Sequence, residues 1–255
     1  MNLVILGSGN IAFHFAKALK NANFKIIQLY GRNKTTVSEL AADINSIFTT
    51  DINDITEEAD AYLFALSDNA LKTVLLHRDW KNKTLIHTSG STSMNVFYGF
   101  SNNYGVLYPL QSFSRDLNLN ISEVPFFIEG NNYESLELIK EIAYSLSNNI
   151  IIADSETRFK VHLAAVFANN FVNHMITIGQ QILINNNIPP EYISPLIKET
   201  FRKIELIGAD KAQTGPAIRN DEEIIERHTK YLQDTPEWQK IYTFVTNSIK
   251  KYYNK

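Results

Sequence analysis

The sequence predicts an α/β domain with a mostly parallel sheet, followed by an all-helical domain. Up to about residue 153, short apolar runs alternate with helix-like segments. Such alternation is typical of βαβ units, whose helices connect parallel strands. The first runs are apolar at every position, as expected of strands that are covered by helices on both faces. After Asp154 no strand-like run follows, and apolar residues recur at helical spacing.

The first domain, residues 1–153, is predicted to contain the strands and the helices that join them. The predicted strands are Leu3–Leu6, Lys25–Tyr30, Ser46–Phe48, Ala61–Ala65, Thr84–His87, Gly105–Tyr108, Phe126–Glu129 and Ile150–Ala153. The predicted helices between them are Ile11–Asn21, Thr35–Ala42, Ala70–His77 and Tyr133–Ser147.

The second domain, residues 154–255, is predicted to contain helices only. A long helix is predicted from Ser155 to Ile184, because this stretch has no proline and a helical apolar period. The asparagines at 185–187 and the prolines at 189 and 190 end it. The remaining predicted elements are a helix over Glu191–Ile207, a loop over Gly208–Asn220, and helices over Asp221–Leu232 and Pro236–Tyr253.

Composition excludes several classes of function. The formal net charge of −3 gives no electrostatic reason to expect a nucleic-acid partner. The chain has no cysteine, which excludes disulfides, thiolate nucleophiles and cysteine-held metal sites and fits a reducing, cytoplasmic location. No apolar run approaches the roughly 18–20 residues that cross a bilayer, and no signal peptide is evident, so no membrane association is expected. The six histidines show no metal-binding spacing, so no metal is expected.

The segment between the first strand and the first helix is a G-x-G-x-x-A motif. It consists of Gly7, Ser8, Gly9, Asn10, Ile11 and Ala12. In such a motif the first glycine permits a tight turn, the second lets the backbone approach a diphosphate, and the small third residue lets helix and strand pack closely. The free N–H groups of the helix N-terminus also bind the anion. The motif therefore predicts a dinucleotide site; the alternative is a glycine-rich turn without a ligand.

The end of the second strand indicates which dinucleotide binds. Sites that prefer NAD usually carry an acidic residue here, about 20 residues after the glycines, for the ribose 2′-hydroxyl. This chain has Arg32, Asn33 and Lys34 instead, and an arginine can form two hydrogen bonds with a 2′-phosphate. We therefore expect NADP(H) as the cofactor, the alternative being a solvated basic turn. Leu66 and Ser67, after the fourth strand, are expected beside the cofactor, unless Ser67 serves only as a helix N-cap.

Several further stretches resemble a known protein family. They are Ile86–Ser91, Leu107–Phe113, Phe127–Gly130, His162–Phe171 and Thr214–Asp221. Together they resemble a bacterial family of Rossmann-like NADP-dependent oxidoreductases whose C-terminal half is known only as a domain of unknown function. That family is similar to pyrroline-5-carboxylate reductase, the deazaflavin-dependent NADP oxidoreductases and 6-phosphogluconate dehydrogenase. The resemblance spans nearly the whole chain and implies a Rossmann-type sheet, a 6-phosphogluconate-dehydrogenase-like helical domain, and hydride transfer with NADP(H).

The resemblance also implies where a proton donor would lie. The related 3-hydroxyacid and 6-phosphogluconate dehydrogenases use a lysine followed four residues later by an asparagine on the first long helix of the second domain. This chain has Asn169 and Asn170 there, but no lysine four residues earlier. His162 lies two turns before them on about the same face and is our candidate proton donor. Asn170 is then a candidate substrate-orienting amide, with Asn169 as a further substrate contact. The alternative for His162 is a packing or interface histidine.

Residues at two strand ends are further candidates. His87, a candidate catalytic residue, ends the fifth strand beside the expected nicotinamide, and Ser89 follows as a candidate substrate contact. The alternative for this stretch is a strand-to-helix cap. Members of the family often have a histidine where this chain has Tyr108. If that histidine transfers a proton in the family, either Tyr108 does so here or this chain has no proton donor at that position.

The loop that contains Thr214 and Arg219 is expected to bind substrate. In pyrroline-5-carboxylate reductase a comparable loop helps to bind the substrate acid, which makes Thr214 a candidate contact and Arg219 a candidate anion clamp. The alternative is an ion pair of Arg219 with Asp221 or Glu222. The helices after residue 154 are too few to enclose a core of their own comfortably, so we expect a homodimer that forms through them.

These observations predict an NADP(H)-dependent oxidoreductase that acts on a small, anionic carbonyl, imine or hydroxy acid bound between the two domains. The missing lysine keeps open a second hypothesis, a dimeric NADP(H)-binding sensor or regulatory protein without turnover. A third is a scaffold that has lost its cofactor, against which the intact glycine motif and Arg32 argue.

Overall fold

A computed structural model describes residues 1–253. The chain divides into two compact units, Met1–Phe167 and the residues from Ala168 onward. The predicted domain boundary at residues 153 and 154 lies ahead of this division and stays a prediction.

The first unit is built on one eight-stranded sheet. The strands are β1 (Asn2–Leu6), β2 (Lys25–Tyr30), β3 (Ile47–Thr49), β4 (Ala61–Phe64), β5 (Thr84–His87), β6 (Asn103–Pro109), β7 (Phe126–Gly130) and β8 (Ile150–Ile152). The helices are α1 (Asn10–Asn21), α2 (Lys34–Ile44), α3 (Asp68–Leu76), α4 (Tyr133–Leu146) and α5 (Ser155–Ala165).

The order of the strands creates a ligand-binding edge. The order is β3-β2-β1-β4-β5-β6-β7-β8, and all neighbours are parallel except β6 and β7. This arrangement confirms the predicted fold class. The connections reverse direction between β1 and β4, and in open α/β sheets ligands bind at that reversal, beyond the carboxyl ends of the strands. The glycine motif follows β1 directly and therefore lies at this edge.

The sheet is covered on both faces, which explains the wholly apolar β1. Leu3 and Ile5 pack in one core cluster together with Phe15 of α1. Val4 and Leu6 face the other way, into a second cluster around Trp80. All four β1 residues from Leu3 to Leu6 are buried, so β1 holds the glycine motif at its end in a fixed position.

Side-chain caps set the starts of several helices. Asn33, Asn132 and Asp154 each accept a hydrogen bond from the backbone N–H three residues later, at the starts of α2, α4 and α5. Helix α1 has no such cap, because Gly9 occupies the N-cap position. Its first N–H groups are therefore available to a ligand.

The second unit is helical. Its helices are α6 (Val172–Asn185), α7 (Ser194–Ile207), α8 (Ala209–Ala212), α9 (Glu222–Tyr231) and α10 (Pro236–Tyr253). The predicted loop over Gly208–Asn220 is wrong in part, because it contains the short helix α8. Neither α6 nor α7 has a buried residue, although both carry large apolar side chains. Within residues 1–253 no helix is both long and apolar enough to cross a membrane.

The long helix predicted over Ser155–Ile184 is interrupted. A π-helical turn, Val166–Phe171, separates α5 from α6. A π-helical turn takes more residues than an α-helical one, so the α-helical spacing that put His162 and Asn170 on one face does not hold through this turn. The turn contains both Asn169 and Asn170.

Candidate active site

The glycine motif has the backbone geometry of a diphosphate cradle. Gly7 has a φ of 134°, and a Cβ there would collide with the carbonyl oxygen of Ala65 on the neighbouring chain segment. Its N–H donates to the Tyr30 carbonyl at 2.7 Å, which fixes the turn against β2. A Cβ on Gly9 would meet nothing within 4 Å, so the space beside that backbone is open. The first glycine thus allows the turn and the second leaves room for a ligand.

Charge at the start of α1 also suits an anion. The first turn of α1 contains no acidic residue, and Gly9 provides no side chain to occupy the N–H groups. The first turn itself therefore places no carboxylate at the positive end of the helix dipole. Ala12 is fully buried, as expected of the small residue that lets α1 pack closely on the sheet. The residues present fit a bound dinucleotide diphosphate.

A cavity of about 420 Å³ extends from the end of β2 toward α3. It is lined by Tyr30, Arg32, Thr50, Asp51, Ile52, Leu66, Ala70, Thr73, Val74 and His77. Arg32 is exposed and forms no ion pair with any residue in 1–253. The lining combines apolar side chains with the Arg32 guanidinium, which fits an adenosine that carries a 2′-phosphate.

The neighbouring candidates have structural contacts as well. Asn33 caps α2, its Oδ1 accepting from the Thr36 N–H at 3.1 Å. Thr36 Oγ1 lies 3.0 Å from Ser8 Oγ, so α2 also steadies the glycine motif. Lys34 is exposed at the start of α2. Ser67 occupies the N-cap position of α3 but makes no capping hydrogen bond.

Two candidate proton donors form a pair. The Tyr108 hydroxyl on β6 lies 3.2 Å from Nδ1 of His162 on α5. Burial raises the pKa of Tyr108 above its usual value, and the positive charge of Arg158 offsets part of that rise. Gly90, in the loop after β5, lies against both rings, and a Cβ there would come within 2.7 Å of each. A glycine is therefore needed at this point for the loop to approach the pair.

His87 is enclosed beneath that loop. Its side chain is fully buried, and its Nδ1 accepts a hydrogen bond from the Ser89 N–H at 3.1 Å. Burial, aided by the charge of Arg158, lowers the pKa of His87 to about 3, so the ring is neutral at pH 7. A neutral, enclosed ring is suited to holding the loop after β5 rather than to exchanging protons with a substrate.

The loop after β5 is tied together by hydroxyl groups. Ser89 Oγ accepts from the Thr92 N–H at 3.0 Å and lies 3.3 Å from Ser91 Oγ. Ser91 Oγ in turn donates to Asp68 Oδ2 at 3.1 Å. Burial alone would raise the pKa of Asp68, but hydrogen bonds from Thr92, Ser89 and Ser91 hold it below its usual value. Asp68 is therefore an ionised carboxylate beside this loop.

A buried ion pair that was not expected from the sequence supports the same loop. Arg158 of α5 is 1% exposed and its Nη1 lies 2.5 Å from Glu129 Oε2 on β7. Arg158 Nη2 donates to the Thr92 carbonyl, and Glu129 accepts from Ser155 N–H and Oγ at 3.0 and 2.7 Å. The pair therefore joins β7, α5 and the loop after β5. A signal existed: a glutamate inside an otherwise apolar strand needs a partner if it is buried.

The other substrate candidates belong to the second unit. Asn169 and Asn170 are exposed, in the π-helical turn. Thr214 and Arg219 are exposed in the loop between α8 and α9. Glu222 pairs with Lys250 at 2.6 Å, and Arg219 forms no ion pair with a described residue. The alternative interpretation of Arg219, an ion pair with Asp221 or Glu222, is therefore not seen in residues 1–253.

Comparison with known families agrees with this geometry. Residues 2–90 match the family described as NADP oxidoreductase, coenzyme F420-dependent, and residues 124–249 match the domain of unknown function DUF2520. No curated protein matches the chain.

Solved structures extend the comparison over the full length. A Bacteroides fragilis protein, assigned in its name to the NADP oxidoreductases, is 40% identical, with 98% of both chains covered and a TM-score of 0.91. A reductive aminase from Aspergillus terreus, in complex with NADPH and ethyl-5-oxohexanoate, is 11% identical, with 98% and 92% covered and a TM-score of 0.72. A 1-pyrroline-5-carboxylate reductase from Streptococcus pyogenes is 14% identical, with 98% of both chains covered and a TM-score of 0.62. The last two likenesses show the fold alone.

Proposed function

The chain belongs to the family of NADP oxidoreductases that join a coenzyme-F420-type NADP domain to a DUF2520 domain, and we propose that its substrate is a small, anionic carbonyl compound, imine or hydroxy acid. NADP(H) is the cofactor of this family. When bound, it supplies or accepts the hydride; the chain itself must bind the substrate and move one proton.

The pairing of Tyr108 with His162 carries the proposal. Tyr108 lies near the carboxyl end of β6, and the glycine motif lies at the carboxyl end of β1. These strands run in the same direction, so both features lie along one edge of one sheet. Reduction of a carbonyl or imine adds a hydride at carbon and a proton at oxygen or nitrogen. The 3.2 Å contact gives that proton a route between the imidazole and the phenol.

The buried ion pair gives the loop after β5 its fixed position beside Tyr108 and His162. Arg158 holds the Thr92 carbonyl, and Gly90 of the same loop touches both rings. In this proposal His87 is a positioning residue and Ser89 offers a hydroxyl to the substrate. Asn169, Asn170, Thr214 and Arg219 are the proposed substrate contacts of the second unit, with Arg219 binding the acid group.

Arg32 determines the cofactor preference in this proposal. Arg32 lines the cavity between β2 and α3, and its guanidinium has no acidic partner within the described part of the chain. A 2′-phosphate would form an ion pair as well as hydrogen bonds with the guanidinium, whereas the 2′-hydroxyl of NADH has no negative charge to pair with it.

We also propose that the chain is a homodimer. Leu196 of α7 and Phe244 of α10 are 67% and 77% exposed, and Phe201 is half-exposed. Large apolar side chains that stay exposed to this degree on several helices are typical of surfaces that a partner covers. A second copy of the chain is the proposed partner. The cytoplasmic location expected from the sequence stays a prediction.

The test has two steps. Calorimetric titration of the purified protein should give micromolar binding of NADPH and much weaker binding of NADH. A panel of small carbonyl acids, cyclic imines and hydroxy acids should then show substrate-dependent consumption of NADPH or formation from NADP⁺. Tight NADPH binding without turnover of any panel member would favour the second hypothesis, a sensor, to which the absent lysine at Ala165 and Val166 already points. Failure to bind either cofactor would contradict the proposal.

A further inference from the structure

A segment after β6 lies across the glycine motif. Residues 112–116, here termed the strap, make backbone contacts with the motif and with α1. Asn10 Nδ2 donates to the Phe113 carbonyl at 2.8 Å, and His14 Nε2 lies 2.9 Å from the Ser114 carbonyl. The strap is therefore held at two successive carbonyl groups.

Aromatic packing anchors the strap. The Phe113 ring lies 5.3 Å from the His14 ring and 6.2 Å from the ring of buried Phe15. These contacts reach the core cluster beneath α1. The position of Arg115, two residues after Phe113, is thus set by the fold.

Arg115 brings a positive charge to the glycine motif. Its guanidinium donates to the carbonyl of Ser8, between the two glycines, and lies 5.3 Å from the centre of the Phe13 ring. A guanidinium has five N–H donors. Only the Ser8 carbonyl accepts from it among residues 1–253, and no carboxylate in that range pairs with it.

A second cation on the same ring shows the contrast. Lys17 Nζ lies 4.1 Å from the centre of the Phe13 ring, but it pairs with Asp43 at 2.9 Å. Among residues 1–253 Arg115 has no such partner, and the first turn of α1 beside it has no acidic residue. Of these two cations, Arg115 contacts the glycine motif and has no carboxylate partner among residues 1–253.

We propose that Arg115 is a diphosphate-binding residue of the cofactor site, a role that rests on the proposed function. It adds a side-chain cation to the backbone N–H groups at the start of α1. The strap serves to deliver this cation, which lies more than a hundred residues from the glycine motif in sequence.

Three ligands separate this role from that of Arg32. NADPH has both the diphosphate and the 2′-phosphate. 2′-Phospho-ADP-ribose has both but lacks the nicotinamide, and adenosine 2′-monophosphate lacks the diphosphate. By calorimetry, Arg115→Ala should weaken NADPH and 2′-phospho-ADP-ribose about 10- to 100-fold, because a charge-assisted hydrogen bond is lost. Adenosine 2′-monophosphate should change less than twofold.

Three further variants distinguish charge from structure. Arg115→Lys keeps the charge and should retain part of the affinity. His14→Ala removes a contact to the strap but leaves the Arg115 charge, and should cost less than Arg115→Ala. Lys17→Ala removes a cation from the same ring without touching Ser8, and should leave all three affinities unchanged.

The outcomes separate the two proposals. Unchanged NADPH affinity in Arg115→Ala, or a loss matched by His14→Ala, would overturn the role of Arg115 and leave the proposed function intact. An equal loss for adenosine 2′-monophosphate would also overturn it, since the effect would then be a general disturbance of the site. A wild-type protein that binds none of the three ligands would overturn the proposed function and this inference with it.

Discussion

The Tyr108 hydroxyl and His162 Nδ1 lie 3.2 Å apart, although 54 residues separate them in the chain. One residue is on a central strand and the other on the helix that follows β8. The pair is half-buried, with the tyrosine more enclosed than the histidine. A phenol with a raised pKa remains protonated at pH 7, so it can give up a proton only as another group replaces it. The adjoining imidazole is placed to do so.

Tyr108→Phe should therefore bind NADPH within about twofold of wild type and lower kcat by about 10²–10⁴-fold, the usual worth of a general acid. His162→Ala should behave in the same way. Because the two groups act as one unit, the double variant should lose little more than either single variant. Steady-state kinetics with a substrate found in the panel, together with calorimetry, would test this. Retained turnover in both single variants would move the proton donor elsewhere.

Removal of the guanidinium of Arg32 should change cofactor preference. Arg32→Ala is expected to weaken NADPH about 10- to 100-fold and NADH less than about threefold, since only NADPH carries the 2′-phosphate. Lys34→Ala, a matched loss of charge two residues away that does not line the cavity, should have a smaller effect. Separate titrations with each cofactor provide the measurement. Equal losses for NADPH and NADH would remove Arg32 from the 2′-phosphate site.

Removing only one partner of the ion pair between Arg158 and Glu129 should destabilise the folded chain. Glu129→Gln leaves Arg158 buried without its anion and should lower the free energy of unfolding by about 3–5 kcal/mol. Glu156→Gln breaks the exposed pair with Lys160 on the same helix and should have no measurable effect. Replacing both buried partners by apolar residues should recover much of the loss. Urea denaturation tests all three; equal effects of the buried and exposed variants would contradict the expectation.

The exposed apolar side chains of the second unit should be covered in a dimer. Wild-type protein is expected to sediment at twice the chain mass at micromolar concentration, and Leu196→Asp combined with Phe201→Asp should shift it toward monomer. Lys198→Asp changes charge on the same helix without removing an apolar side chain and should leave the mass unchanged. A wild-type monomer mass that does not depend on concentration would reject the dimer.

The parts of the fold that were predictable are those with local causes. The wholly apolar run Leu3–Leu6 reflects burial on both faces of the sheet, and it ends at Gly7, whose positive φ the turn requires. β2 and β5 begin and end at the predicted residues, because neighbouring polar and turn residues mark their ends. The π-helical turn at Val166–Phe171 was missed, since α-helices and π-helices are formed by the same types of residue.

The candidate site residues could be named one at a time from the sequence, but their arrangement could not. Tyr108 and His162 were separate candidates, because the number of residues between a strand and a helix does not give the distance between their side chains. Arg158 was not a candidate, since helical periodicity does not tell which charged residue turns inward. Glu129 was not a candidate either, although a glutamate inside an apolar strand indicates a buried partner. Arg115, the proposed diphosphate-binding residue, was not a candidate either, because it lies in an irregular segment and only its contact with Ser8 connects it to the glycine motif.

Burial of His87 should make stability depend on pH. The pKa of this ring is about 3 in the folded chain and about 6.5 when unfolded, so between these values only the unfolded state takes up the proton. The contribution of His87 is thus complete above about pH 6.5 and is lost progressively as the pH falls toward 3, by about 2 kcal/mol at pH 5. His87→Gln should reduce the difference in unfolding free energy between pH 7 and pH 5, whatever its effect on stability at pH 7. His77→Gln, at an exposed histidine, should leave that difference unchanged. If His87→Gln retains the full wild-type difference, another group is responsible for the acid sensitivity.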